Sequence, residues 1–247
     1  MATQQNIPIT LDLEVQKQTV NVDIESIAPL YGFTAGSFDV ANSTITATVN
    51  NTSGTEQRYR LVIHADVEAG TSATARIVSG DTKTFKQPAE FERITDKYAD
   101  IIQPILTKLG SIPDQTLPKN KQLTAMAKQF KVADIDIPAG VHVLRIHVSQ
   151  VVKPAVENPR QFMLEMYAPL LCFAPTPNVL LSATIVFPVD FQAVASTGPA
   201  SYRSLPGMND PRLTAGGNDQ VQLARHPAYG WVFQNVDPII SVGWLYN

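Results

Sequence analysis

The stretch that decides the fold runs from Thr44 to Val67 and reads TITATVNNTSGTEQRYRLVIHADV. Apolar and polar residues alternate in both halves, and a period of two places successive side chains on opposite faces of an extended strand. Residues 50–54, NNTSG, separate the halves and favour a turn. The stretch therefore predicts a half-buried β-hairpin. Its polar face would carry Arg58, Arg60, His64 and Asp66.

Other segments repeat this strand pattern. Residues 6–15 alternate with apolar residues at odd positions, and the alternation resumes at Val20, Val22 and Ile24, which are even. This change predicts either two short strands or one strand with a β-bulge, and the first segment could also be an arm that reaches a neighbour. Residues 230–236 and 239–246 predict aromatic strands that must be buried, in this subunit or in the next one.

Residues 88–131 break the β pattern. Phe91, Ile94, Tyr98 and Ile101 recur at spacings of three and four, which is typical of one face of an amphipathic helix. Lys119 to Lys131 predicts a second, shorter helix. We therefore expect a small helical insertion over 88–131. Residues 196–220 contain many turn formers and little periodicity, which predicts an extended loop.

The order of strands and turns resembles that of a known class of β-sandwich. NNTSGTEQRYRLVIHADV at 50–67 is followed by ARIVSGDTKTF at 75–85 and by IPAGVHVLRIHV, another strand pair, at 137–148. This order resembles immunoglobulin-like domains of surface proteins, and the single jelly-roll proteins of virus capsids share the same cues. The resemblance implies an all-β sandwich and carries no activity. We predict one all-β domain over 1–247, a sandwich of jelly-roll or immunoglobulin-like type, with the helical insertion and the extended loop.

The composition limits the functions that the chain could have. Charged residues make up 17% of the chain, below the roughly 25% usual for soluble domains, and the net charge is −3 without a basic run. Direct nucleic-acid binding, which needs clustered cations, is therefore not expected. One cysteine excludes an intrachain disulfide, and we expect Cys172 to be a buried, inert thiol. Neither a signal peptide nor a membrane span is visible, so we expect a chain made in the cytoplasm.

Histidines and carboxylates are the first candidates for a metal site. His142 and His147 are five apart on one predicted strand and should face opposite ways, so a pair would require His64 beside one of them. Asp134 and Asp136 share a face and could bind Ca²⁺, although two exposed acids beside a turn would give the same pattern. We predict no metal ion and no cofactor.

Catalysis has little support in the sequence. Ser201 or Ser204 could form a triad with Asp219, Arg225 and His226, but G-x-S-x-G is missing around both serines. The segment 216–219, GGND, lacks the lysine of a phosphate-binding loop. We therefore predict a non-enzymatic protein without catalytic residues.

The predicted function is structural. We expect a subunit that self-assembles into a capsid, virion shell or extracellular filament, with copies of itself and other structural proteins as partners. The alternative is a binding module that recognises carbohydrate or protein through loops 31–36 and 196–220. Exposed Tyr31, Phe33 and Tyr202 would favour that alternative. A third possibility, an enzyme of cupin or glycosidase type, would require clustered histidines or carboxylates.

Overall fold

The computed structural model describes residues 13–34, 36–64, 71–78, 88–93, 130–167, 170–171, 180–188, 191–193, 200–204, 219–223, 226–234 and 238–246. These residues form β-strands and one 3₁₀ turn, Ala28–Tyr31, which confirms the all-β prediction. The strands are β1 Leu13–Glu25, β2 Asp39–Asn51, β3 Gln57–His64, β4 Ser72–Val78, β5 Ala89–Glu90, β6 Glu92–Arg93, β7 Phe130–Ile137, β8 Gly140–Val152, β9 Pro154–Ala155, β10 Asn158–Tyr167, β11 Leu170–Leu171, β12 Leu180–Val186, β13 Phe191–Ala193, β14 Ala200–Ser204, β15 Asp219–Leu223, β16 His226–Gln234 and β17 Pro238–Tyr246.

The strands form three sheets. The large sheet has eight strands in the order β15-β16-β12-β1-β2-β8-β4-β5. The small sheet has the order β11-β3-β7-β6, and the C-terminal sheet has the order β13-β17-β10-β9 with β14 also on β17. Among the described strands, β1 and β12 pair in parallel, whereas the other pairs are antiparallel.

The prediction of a hairpin at 44–67 is wrong. Both strands exist, but β2 pairs with β1 and β8 in the large sheet, while β3 pairs with β7 and β11 in the small sheet. Residues 52–56 therefore form a corner that carries the chain from one sheet to another. Alternation identifies a strand and its buried face, but it contains no information about the pairing partner.

A second corner lies beside the first. Residues 138–139 link β7 in the small sheet to β8 in the large sheet, so the strand pair predicted at 137–148 is also divided between two sheets. Asn51 joins the two corners, because its Nδ2 donates to the carbonyl oxygens of Ile137 and Thr55, both at 2.8 Å. The Asn51 Oδ1 accepts hydrogen bonds from the Ser53 backbone N–H at 3.0 Å and from its hydroxyl at 2.7 Å. The corners are thus held together by one buried amide.

The register change predicted in the N-terminal strand is confirmed. The pairing of β1 with β2 shifts between Val15 and Lys17, as in a β-bulge. Gln16 and Lys17 are both exposed, and the buried face changes from odd to even positions at this point. The predicted arm over 6–12 lies outside the described residues.

The described parts of the predicted insertion are strands, not helices. Residues 88–93 contain β5 and β6, and Phe130 and Lys131 begin β7. Phe91 is buried in the hydrophobic cluster, and its backbone N–H donates to the Ala73 carbonyl oxygen at 3.0 Å. Residues 94–129, which contain most of the predicted helices, lie outside the described residues. The prediction of an extended loop at 196–220 is wrong where β14 and β15 form, near its two ends. Residues 205–218 lie outside the described residues.

One hydrophobic cluster joins all three sheets. Trp244 on β17 is completely buried in it, stacks on Phe162 with ring centroids 5.4 Å apart, and meets Phe187 edge-on at 5.8 Å. The predicted burial of the C-terminal strand is therefore achieved within this chain at Trp244. In the ranges given above, no helix is long and apolar enough to cross a membrane.

Candidate functional site: an exposed apolar turn

The loop between β1 and β2 contains a short, ordered turn. Pro29 lies in the first turn of the 3₁₀ segment, and Gly32 ends it with a φ of 79°. The Gly32 N–H donates to the Pro29 carbonyl oxygen and the Phe33 N–H donates to the Ala28 carbonyl oxygen, both at 3.1 Å. A positive φ is easily adopted only by residues such as glycine, so the sequence at Gly32 fixes where this turn ends.

Three large apolar side chains project from this turn. Leu30 is 81% exposed, Tyr31 68% and Phe33 58%, whereas Ala28 beneath them is completely buried. We call Leu30, Tyr31 and Phe33 the apolar turn. Single exposed apolar side chains are common, but three within four residues form a patch, and patches mark interaction sites. The exposure of Tyr31 and Phe33 agrees with the alternative of a binding loop, while the side chain of Tyr202 lies outside the described part of the chain.

The apolar turn has a fixed base. Phe38 contacts Phe33 edge-on, with ring centroids 5.5 Å apart. The next residue, Asp39, is completely buried and accepts a hydrogen bond at Oδ2 from the Trp244 Nε1 at 2.8 Å. A buried carboxylate requires such partners, and this one ties the start of β2 to the core. The turn therefore projects from a rigid support.

The three candidate histidines are divided between two sheets, and the two on β8 are divided between its two faces. His64 lies on β3 of the small sheet, whereas His142 and His147 lie on β8 of the large sheet, whose uninterrupted register places them on opposite faces. The His142 Nε2 lies 3.0 Å from the Ala139 carbonyl oxygen, and the His147 Nδ1 lies 3.2 Å from the Thr44 Oγ1. Partial burial, together with Arg76 and Arg145, lowers the pKa of His147 below its usual value.

The predicted pair of carboxylates is engaged in ion pairs. Asp136 lies opposite Arg58 and Asp134 lies opposite Arg60 in the register of β3 with β7. Arg58 contacts both oxygens of Asp136 at 2.8 and 3.1 Å, and Arg60 contacts both oxygens of Asp134 at 2.8 and 3.3 Å. The bond to Asp136 raises the pKa of Arg58. A Ca²⁺ ion at these carboxylates would therefore have to displace two bidentate guanidinium groups.

The imagined catalytic triad is not assembled. Ser201 and Ser204 lie on β14 of the C-terminal sheet, whereas Asp219 and His226 lie on β15 and β16 of the large sheet. Asp219 pairs with Gly230 at one end of that hairpin and His226 pairs with Leu223 at the other, four residues or roughly 13 Å away. Arg225, residues 216–218 and Cys172 lie outside the described residues. Within the described ranges, no three His, Cys, Asp or Glu side chains come together as metal ligands.

Comparisons with known proteins found solved structures that resemble this chain, at low sequence identity and low TM-score. Neither a protein-family model nor a curated protein matches this chain. Among solved structures, it is similar to a Legionella pneumophila protein named as a nutrient-binding protein, with 8% identity, a TM-score of 0.45, and coverage of 96% of this chain and 69% of that one.

Two further similarities are to an M1 zinc metallopeptidase of Deinococcus radiodurans and to yeast LTA4 hydrolase. Their identities are 9% and 8%, and their TM-scores are 0.36 and 0.39. They cover 94% and 98% of this chain, which spans 42% and 31% of the other two. Similarity at this level assigns no function to this chain.

Proposed function

We propose that this protein is a non-enzymatic structural subunit that associates with copies of itself through the apolar turn. The assembly would be a capsid, virion shell or extracellular filament, and the sheets would pack as a sandwich of jelly-roll or immunoglobulin-like type. The observation that supports this proposal is the exposure of Leu30, Tyr31 and Phe33 on a turn whose base is fixed.

The apolar turn leaves a large apolar surface in contact with water, and burying it would favour association. Burying one fully exposed large apolar side chain contributes roughly 1.5–3 kcal/mol. These three are 81%, 68% and 58% exposed, so together they could contribute about 3–6 kcal/mol before the costs of association. The fixed turn lowers one of those costs, because little backbone entropy remains to be lost on binding. Low charge on the chain also limits repulsion between copies.

The proposal is tested by measuring the molar mass in solution. Light scattering after size-exclusion chromatography should show wild-type mass rising with concentration across the micromolar range. The triple variant Leu30→Ser, Tyr31→Ser, Phe33→Ser should remain near the monomer mass of 26.9 kDa. Val156→Ser is the matched control, since Val156 is fully exposed on another turn and should not affect the mass. Wild-type protein that stays monomeric, or a triple variant that associates like wild type, would disprove self-association through this turn.

The second candidate is a binding module that uses the same turn on a carbohydrate or a different protein. Exposed Tyr31 and Phe33 favour it, because aromatic rings offer a large contact area at a low entropic cost. A monomeric wild type whose Tyr31 fluorescence or NMR signals change when oligosaccharides are added would favour this candidate. Association of wild type without such changes would favour the structural subunit.

A further inference from the structure

Two arginines and a histidine lie together on the outward face of the large sheet. Arg76 on β4 lies directly opposite Arg145 on β8, and His147 lies two residues further along β8. Leu144, Ile146 and Val148 are buried, so the alternating positions Arg145 and His147 point away from the core. Residues directly opposite have Cβ atoms about 5 Å apart, and same-face neighbours along a strand are separated by about 7 Å. We call Arg76, Arg145 and His147 the cation cluster.

The two arginines of the cation cluster form no ion pair in the part of the chain that the structure describes. Like charges directly opposite each other destabilise a sheet. On the small sheet the same chain places Arg58 and Arg60 opposite aspartates. Arg76 and Arg145 instead face each other, and neither forms an ion pair with a described residue. The Arg145 Nε is also buried without a described hydrogen-bond partner. Because this atom is shielded from solvent, an external acceptor can reach Arg145 only through the exposed part of its half-buried side chain.

Hydroxyl groups border the cluster on both sides. His147 lies between Thr74 on β4 and Thr44 on β2, and Arg145 lies opposite Thr46 on β2. One carboxylate lies in the same row, because Glu90 on β5 pairs with Thr74. Glu90 is exposed and lies about 10 Å from His147, two strand spacings away. It is also a diagonal neighbour of Arg76 on the same face, although no ion pair joins them in the described part of the chain. The lowered pKa of His147 agrees with a net positive surrounding.

We propose that the cation cluster binds a tetrahedral oxyanion, either a free phosphate or sulfate ion or such a group carried on a larger molecule. Two guanidinium charges match a dianion, and the planar donor fork of arginine matches its oxygens. Four oxygens can accept from Arg76, Arg145 and a neighbouring hydroxyl or imidazole together, whereas a carboxylate has only two oxygens. The bound anion would accept hydrogen bonds from the exposed part of the Arg145 guanidinium group and would screen the repulsion between the arginines.

The experiment measures binding and thermal unfolding of the full chain at constant ionic strength, with sodium phosphate, sodium sulfate and sodium acetate. Phosphate and sulfate should bind and raise the unfolding temperature more than acetate does. Arg76→Gln and Arg145→Gln should each weaken phosphate binding by about tenfold or more, because hydrogen bonds to charged groups are lost. Arg160→Gln removes an exposed arginine on β10 in another sheet and should bind like wild type.

A second measurement separates this proposal from a structural role of the arginines. Without added anion, Arg76→Gln should unfold at a higher temperature than wild type, because it removes like-charge repulsion. With saturating phosphate, wild type should gain more stability than the variant, so the difference between their unfolding temperatures should narrow or change sign. An unfolding temperature lowered by Arg76→Gln in both conditions, or phosphate binding equal in wild type and both cluster variants, would overturn the proposal.

A sulfated heparin oligosaccharide distinguishes the two sources of the anion. Binding tighter than that of free sulfate, and lost in Arg145→Gln, identifies a group carried on a larger molecule. Binding no tighter than that of free sulfate identifies the free ion. Absence of binding by phosphate, sulfate and the oligosaccharide at millimolar concentration rejects the site.

Discussion

Replacing Asn51 by alanine tests whether one buried amide holds the two corners together. Asn51 is 1% exposed and takes part in four hydrogen bonds, two as donor and two as acceptor. The bonds with Thr55 and Ser53 lie nearer to solvent, so water can replace part of them and their loss should cost about 1 kcal/mol in total. The bond to the Ile137 carbonyl oxygen is buried, and leaving that acceptor without a donor costs about 1–3 kcal/mol. We therefore expect Asn51→Ala to lower the free energy of unfolding by about 2–4 kcal/mol.

Equilibrium unfolding in urea, followed by tryptophan fluorescence, measures this change. A chain of this size should lose roughly 5–15 °C in melting temperature for the same destabilisation. Asn50→Ala is the matched control, because the Asn50 amide makes only an exposed hydrogen bond to the Glu14 carboxylate at 3.1 Å. The control should change the stability by less than about 0.5 kcal/mol. If the two variants unfold alike, Asn51 does not hold the corners and the reasoning fails.

Three further predictions follow from described contacts. Double-mutant cycles should give a coupling energy of about 0.2–1 kcal/mol for the exposed pair Arg58 and Asp136. The coupling energy should be larger for Arg60 and Asp134, because their side chains are only 12% and 24% exposed. Equal coupling energies measured by urea unfolding would contradict this. Trp244→Phe keeps a ring against Phe162 but removes the hydrogen-bond donor to buried Asp39. Calorimetry should show a decrease of about 1–3 kcal/mol in the free energy of unfolding, and an unchanged melting temperature would refute this. The pKa of His147 is lowered in the folded state, so the unfolded state binds the proton more tightly and stability should fall as pH drops below about 6.5 toward the folded pKa. His147→Gln should show less of this decrease than wild type in urea unfolding at several pH values, and an identical pH dependence would show that His147 is not its source.

The sequence predicted strands well because period-two alternation depends only on which face is buried. It identified both halves of 44–67 and the parity change at Val15 to Lys17, which the structure shows as a register shift. It did not predict that β2 and β3 belong to different sheets, because no local signal at 50–54 distinguishes a hairpin turn from a corner. The buried side chain of Asn51 decides the matter through a contact with Ile137, 86 residues away.

The sequence predicted part of the apolar turn but missed the cation cluster. Tyr31 and Phe33 were predicted as binding candidates from a glycine-containing loop, and both are exposed. The cation cluster was missed because Arg76 and Arg145 are 69 residues apart and meet only through the register of β4 with β8. The engagement of Asp134 and Asp136 was missed for the same reason, since their arginine partners lie on β3.

The parallel pairing of β1 with β12 has a consequence for synthesis on the ribosome. Residues 17–23 pair with residues 180–186, so one long side of β1 stays open after β2 and β8 have emerged. From the end of β8 at 152 to the end of β12 at 186 is 34 residues, which take about 2–7 s at typical rates of translation. During that interval the nascent chain displays an unpaired strand edge, which can pair with any other extended chain nearby. Neighbouring nascent copies on one messenger RNA would meet in this state, so correct assembly depends on β12 reaching β1 before another chain does.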